Sequence, residues 1–159
     1  MGRGYAGERV NLVDFSAAGA RAAFEESTAR IGLDRLAGFR IHDCASEHID
    51  TALAGFVPGL VGLREEGLIG QVSIGMNTNN SGPKSAHDGC LRLMREAPAG
   101  TFNSALLAGG WNLLNQDSYD IMIEAQRRGI MMCAYVYNFA GLCRTSLVLI
   151  LTWSLEPSG

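Results

Sequence analysis

Lysine is almost missing. The chain has twelve arginines and one lysine, Lys84, with no basic block anywhere. It therefore lacks the electrostatic footprint of a nucleic-acid binder. Long apolar runs are scarce too. The one candidate, Ser146–Trp153, has eight residues, against the ~20 that a spanning helix needs. No apolar core follows Met1-Gly-Arg-Gly-Tyr5, so a signal peptide is not expected, and the residues after Met1-Gly2 do not read as a myristoylation signal. No nucleic-acid and no membrane partner is expected. Cys44, Cys90, Cys133 and Cys143 include no Cys-x-x-Cys pair and no metal-ligand spacing. This predicts no metal site and reduced thiols in a cytoplasmic protein. No strand candidate is followed by Gly-x-Gly-x-x-Gly, and there is no P-loop lysine and no Gly-x-Ser-x-Gly elbow.

What is present is enough for one packed domain: 159 residues, 47% of them apolar, with a net charge of −3. Residues 1–14 read as a loop. Ser16 is a candidate N-cap for a helix over Ala17–Arg30, stopped at Gly32. Leu36–His42 is a short apolar run ending in an imidazole and a carboxylate, as a parallel strand would. Helical spacing returns over His48–Glu66, where Pro58 should kink or split the pattern. Leu68–Met76, Phe102–Leu107 and Ile130–Tyr137 are further strand candidates. Lys84–Glu96 and Gln116–Arg128 are further helices. Leu147–Leu151 is apolar and offers a fifth strand. Alternation at roughly 30-residue intervals predicts an α/β fold with a parallel sheet and right-handed crossovers. Either an open doubly wound sheet or part of a (β/α)8 barrel fits. A whole barrel takes about 250 residues.

In a parallel sheet the strand ends open on one side. Here they present His42-Asp43, Asn77-Thr-Asn-Asn80, Gly109-Gly-Trp111-Asn112 and Tyr135-Val-Tyr137-Asn138. Amides suit a carboxamide or sugar hydroxyls, and flat rings suit stacking. Arg40, two residues before His42, shares its face and would need an acidic partner inside a closed barrel.

Several stretches carry a resemblance: Asp14-Phe-Ser-Ala-Ala-Gly-Ala-Arg-Ala-Ala-Phe-Glu-Glu-Ser27, Arg30-Ile-Gly-Leu-Asp-Arg35, Ile41-His-Asp43, Ala52-Leu-Ala-Gly-Phe-Val-Pro-Gly-Leu60, Leu63-Arg-Glu-Glu-Gly67, Ile74-Gly-Met-Asn77 and Leu106-Leu-Ala-Gly-Gly-Trp-Asn-Leu-Leu-Asn-Gln116. In order, over about residues 10–142, they resemble the aldo/keto reductase family, nearest its sugar-dehydrogenase branch. The resemblance implies a partial (β/α)8 TIM barrel of about four consecutive βα units. It also implies NAD or NADP bound without a Rossmann motif, and hydride transfer between nicotinamide and an aldose or other carbonyl or alcohol substrate. It makes His42 the catalytic histidine that orients the substrate oxygen. Asn77 becomes the amide that holds the nicotinamide carboxamide, Tyr135 the ring that stacks on the nicotinamide, and Trp111 a substrate-side aromatic residue. Met76 replaces the family's usual serine, and Ala108 its glutamine.

The family's aspartate and tyrosine align ahead of this sequence, its lysine just before Gly2, and Lys84 does not match that lysine. The expectation is a partial aldo/keto reductase-like domain over 1–143 and a divergent tail over 144–159, inactive as this chain alone. The competing expectation is a non-catalytic half-barrel that serves as an interaction or dimerisation module, self-associating through exposed strand edges. An unrelated open-sheet binding protein would instead show a reversal of strand order.

Overall fold

A computed structural model describes residues 13–77, 84–111, 115–135 and 148–151. Helix α1 (Ala17–Ile31) begins where Ser16 Oγ accepts from Gly19 N at 3.0 Å. It ends at Gly32, whose φ of 78° and N–H bond to the Thr28 carbonyl close the last turn. Strand β1 (Phe39–His42) starts later than its apolar run. Leu36 makes only an isolated bridge with Ile69, and the ladder resumes at Phe39. A 3₁₀ turn at Ser46–His48, the single turn α2 (Ile49–Thr51), a π-helical stretch at Ala52–Phe56 and helix α3 (Val57–Glu65) follow without a break. At Pro58 the course changes from π to α register. The proline falls in the first turn of α3, just after Val57 N–H has bonded the Ala52 carbonyl in π register. The widened turn absorbs the missing donor.

Then come β2 (Val72–Asn77), α4 (Lys84–Glu96), β3 (Ser104–Ala108), α5 (Tyr119–Arg127), β4 (Met131–Tyr135) and β5 (Val148–Leu151). Helix α5 starts later than its pattern because Gln116–Ser118 is spent on a turn, with Ser118 N bonding the Gly110 carbonyl and Tyr119 N the Gln116 carbonyl. The sheet order is β1-β2-β3-β4-β5, parallel through β4. Neighbours in sequence are neighbours in space, as in adjacent barrel staves. A doubly wound sheet would reverse its order. β5 pairs antiparallel with β4.

Right-handed crossovers between adjacent strands put every connecting helix on one face. Strand period 2 then divides the residues. Ile41, Val72, Ile74, Met76, Ala105, Leu107, Met132 and Ala134 are buried in the layer beneath the helices. Their neighbours form rows on the opposite face. Arg40, Ser73, Ser104 and Met131 share one row, His42, Gly75, Leu106 and Cys133 the next, and Asn77, Ala108 and Tyr135 the last. That face is more exposed at β4, with Met131 46% exposed against 5% for Met132, whereas Ser73 and Ala108 on it are buried.

Two features lock the helical layer. α1 and α3 approach through small residues: a Cβ at Gly59 would lie 2.9 Å from Ala20 Cβ and 3.1 Å from Ala17 Cα, whereas one at Gly62 would meet nothing. Across α4 and α5, the buried Glu124 carboxylate takes Arg127 Nη1 at 2.9 Å, Arg128 Nε at 3.4 Å and Arg95 Nε at 3.5 Å. Burial pushes its pKa up, but the three guanidiniums together outweigh burial and hold the carboxyl below its usual range.

In urea unfolding, Gly62→Ala should add about 0.5–1 kcal/mol through lost unfolded-state freedom. Gly59→Ala, in the same helix, should lose about 1–3 kcal/mol through overpacking. Equal effects would refute the close approach. A carboxylate with a lowered folded pKa stabilises above its unfolded value of about 4.3, and that contribution is lost as pH falls through the folded pKa. The stability gap between the unmodified chain and Glu124→Gln should therefore be widest near pH 7 and close in acid. A gap that widens in acid would contradict the arginine cluster.

Candidate active site

The carboxyl ends of β1 and β2 are tied together by one side chain. Asp43 follows β1 with φ of 44°, the one non-glycine residue with positive φ among the described residues. Aspartate tolerates this region because its short side chain finds local partners. Its backbone N–H donates to the Gly75 carbonyl at 2.9 Å. Its Oδ1 accepts from Asn77 N at 2.8 Å and its Oδ2 from Asn77 Nδ2 at 2.5 Å. The carboxylate thus grips both the backbone and the side-chain amide of Asn77.

His42 stands beside this grip. Its Nδ1 is 3.4 Å from Asp43 Oδ2, within ion-pair reach and long for a hydrogen bond, and its side chain is 62% exposed. Asp43 faces the Nδ1 side, so Nε2 is the nitrogen turned toward a ligand. Gly75, opposite His42 in the ladder, makes room for it. A Cβ there would come within 2.5 Å of Arg40 Cδ and 3.1 Å of His42 Cδ2. Asn77 is half-buried, and Met76 beside it is buried on the helix side. Met76 therefore cannot replace a serine facing the mouth.

Of the remaining residues singled out from sequence, Trp111 is half-buried and stacks on Tyr119, with ring centroids 5.9 Å apart and 23° between planes. It lies just past the end of β3, at the same end of the sheet. Tyr135 closes β4 in register with Ala108, which is in register with Asn77. The Tyr135 side chain lies outside the described residues, as do Thr78, Asn79, Asn80, Asn112, Tyr137 and Asn138. The sheet therefore brings His42, Asp43 and Asn77 together and sets Trp111 and the Tyr135 backbone along the same edge. Arg40 lies one row down, at the opposite end. Its Nε donates to Ser73 Oγ at 3.1 Å beside a cavity of about 350 Å³ lined also by Gly38, Gln71 and Ser104. Among the described residues it has no acidic partner, and no three His, Cys, Asp or Glu side chains converge as a metal site requires. None of the described helices is long and apolar enough to cross a membrane.

Sequence reasoning marked Asp43 only as the residue after the histidine. Its grip on Asn77 depends on a residue 34 positions later, and no local pattern announces a pairing at that range. The one usable signal was a carboxylate immediately after a parallel strand.

No family model matches the sequence. The chain is 34% identical over 112 residues to D-threo-aldose 1-dehydrogenase from a Pseudomonas species, a match that covers 70% of this chain and 31% of that protein. It resembles a structure from Pseudomonas aeruginosa described as an aldo-keto reductase, with 25% identity and a TM-score of 0.57 over 77% of this chain and 42% of that one. It also shares its fold with an aldo-keto reductase from Bacillus halodurans in the holo form, at a TM-score of 0.60, 16% identity, 77% of this chain and 37% of that one. A Bombyx mori aldo-keto reductase in complex with NADP gives a TM-score of 0.53 at 18% identity, over 76% of this chain and 37% of that one. The chain thus spans about a third of the curated relative's length.

Behind the site, Cys44 is fully buried, and burial pushes its thiol up to about 11. Burial, aided by the Asp120 charge, pushes Cys90 up to about 12. Iodoacetamide at pH 8 should label the half-buried Cys133 in the folded chain and reach Cys44 and Cys90 only after unfolding, as read by peptide mass spectrometry. Labelling of Cys44 as fast as Cys133 would show that Asp43 is not backed by a packed core.

Proposed function

The chain belongs to the aldo-keto reductase family and spans part of that family's barrel, and from that premise we propose that it forms the nicotinamide-facing part of an NAD(P)-dependent oxidoreductase mouth. The substrate class is an aldose or another carbonyl or alcohol compound. The observation that carries this reading is the convergence of His42, Asp43 and Asn77 at the carboxyl end of a parallel sheet, where such folds place their chemistry.

The residues present fit the cofactor. One of the two side-chain N–H groups of Asn77 is held by Asp43, which leaves the carboxamide oxygen and the second N–H to meet a ligand amide. When bound, the dinucleotide supplies or takes the hydride. His42 then orients the substrate oxygen through Nε2 and meets the charge that develops on it. By the family resemblance, Tyr135 at the end of β4 would supply the ring that stacks, and Trp111 a wall for the substrate. Free thiols at Cys44, Cys90 and Cys133 fit a reducing cytoplasm.

These 159 residues are expected to be inactive by themselves. At the mouth, the described residues offer His42 and Asp43 as titratable groups, whereas the family's chemistry uses a tyrosine, a lysine and an aspartate that this sequence does not match. Loss of a general acid alone costs roughly 10²–10⁴ in rate. A second reading, a non-catalytic module that self-associates, draws on the inner face at β4, where Met131 is 46% exposed, and on the outer edge of β1, which pairs with no further strand among the described residues.

Titrating NADPH into the purified chain, followed by fluorescence, should give no saturable binding in the micromolar range and no NAD(P)-linked oxidation of L-fucose or L-galactose. A micromolar isotherm with turnover would show that the chain suffices. The reading frame upstream of Gly2 separates the two readings. An Asp…Tyr pair and a lysine there support the oxidoreductase, and absence of all three supports the non-catalytic module.

A further inference from the structure

We infer that Asp43 is a positioning residue, which sets the polarity of the mouth so that it accepts a carboxamide and rejects a carboxylate. The inference rests on the proposed nicotinamide reading and deepens it. An ionised carboxylate has no hydrogen to donate. Because Asp43 Oδ2 lies 2.5 Å from the Asn77 side-chain amide, the atom facing it must be Nδ2, and Oδ1 must point the other way. An asparagine left to itself can flip. This one cannot do so without setting Oδ1 against a carboxylate. The second contact, Oδ1 to the Asn77 backbone N–H at 2.8 Å, fixes the Asp43 side chain itself, and its φ of 44° is a backbone state that needs such support.

The consequence is chemical. With one Nδ2–H taken by Asp43, Asn77 presents its acceptor oxygen and a single remaining N–H, with the negative charge of Asp43 behind the amide. A ring bearing a primary amide can donate an N–H to that oxygen. A ring bearing a carboxylate has no hydrogen to give that oxygen and sets its charge against that of Asp43, which the one remaining Nδ2–H of Asn77 offsets only in part. Discrimination between the two is therefore built into a residue that need not touch the ligand.

The test uses the full 159-residue chain, ¹⁵N-labelled, with the Asn77 side-chain amide signals assigned by their loss in Asn77→Ser. Two variants separate position from folding. Asp43→Gly relieves the positive φ while removing the grip. Asp43→Asn keeps an acceptor for the Asn77 backbone but no longer dictates the flip. In the unmodified chain the Asn77 side-chain amide protons should exchange with water at least about tenfold more slowly than those of exposed asparagines, a protection of the size one charge-assisted hydrogen bond gives. Asp43→Gly should abolish that protection. Millimolar nicotinamide mononucleotide should shift the Asn77 amide and His42 ring signals with an affinity about tenfold or more above that of nicotinic acid mononucleotide. The preference should fall below about threefold in both variants.

An unprotected Asn77 amide in the unmodified chain, or an unchanged preference in Asp43→Gly and Asp43→Asn, would overturn the positioning role. If neither nucleotide shifts either residue while the amide is protected and then released by Asp43→Gly, the nicotinamide reading fails and the grip stands.

Discussion

The direction of the crossovers governs this molecule. Parallel neighbours joined right-handedly must carry every helix on the same side, so one face of the sheet is sealed and the other is not. Ile41, Ile74, Leu107 and Met132 are buried as a result, and Arg40, His42, Ser73, Asn77 and Ser104 are gathered on the other face. The site is a product of that division. A one-residue slip of β1 would bury His42 under α1–α3 and expose Ile41. The apolar layer that stabilises the fold thereby also fixes which way the histidine points.

On that frame, small residues do the fine positioning. Gly75 leaves the space over which Arg40 and His42 lie, and Gly59 lets α3 close on Ala17 and Ala20. Asp43 ties the end of β1 to the end of β2 through both carboxylate oxygens. Without this tie, the last residues of two adjacent parallel strands would fray independently. The carboxamide is held directly, and the imidazole stands 3.4 Å from the same carboxylate.

Much of this was legible in the sequence where the signal is local. Ser16 and Gly32 announced both ends of α1, because capping depends on residues within one turn. The Lys84–Glu96 helix was legible to its last residue, its apolar spacing matching the buried Cys90, Leu91 and Met94. Strand starts were misjudged at Leu36, Leu68 and Phe102. There apolar residues pack in the core or form single bridges before the ladder begins, and hydrophobicity does not distinguish the two. Pro58 signalled a break that the π turn absorbed. Consecutive strand order favoured barrel staves over a doubly wound sheet, a distinction the alternating pattern leaves open. The grip of Asp43 on Asn77 joins residues from two strands, so only the fold displays it. His42 and Asn77 lie at the carboxyl ends of neighbouring strands, while the Tyr135 side chain lies outside the described residues.

The central claim is the two-faced sheet, and two adjacent methionines report on it. Met131 and Met132 follow one another in β4, with 46% and 5% of their surfaces exposed. Limited oxidation of the native chain by hydrogen peroxide, read by peptide mass spectrometry, compares them within one strand. The account predicts rapid sulfoxide formation at Met131, with Met132, Met76 and Met94 spared until unfolding. Equal rates at Met131 and Met132, or faster oxidation at Met132, would contradict it.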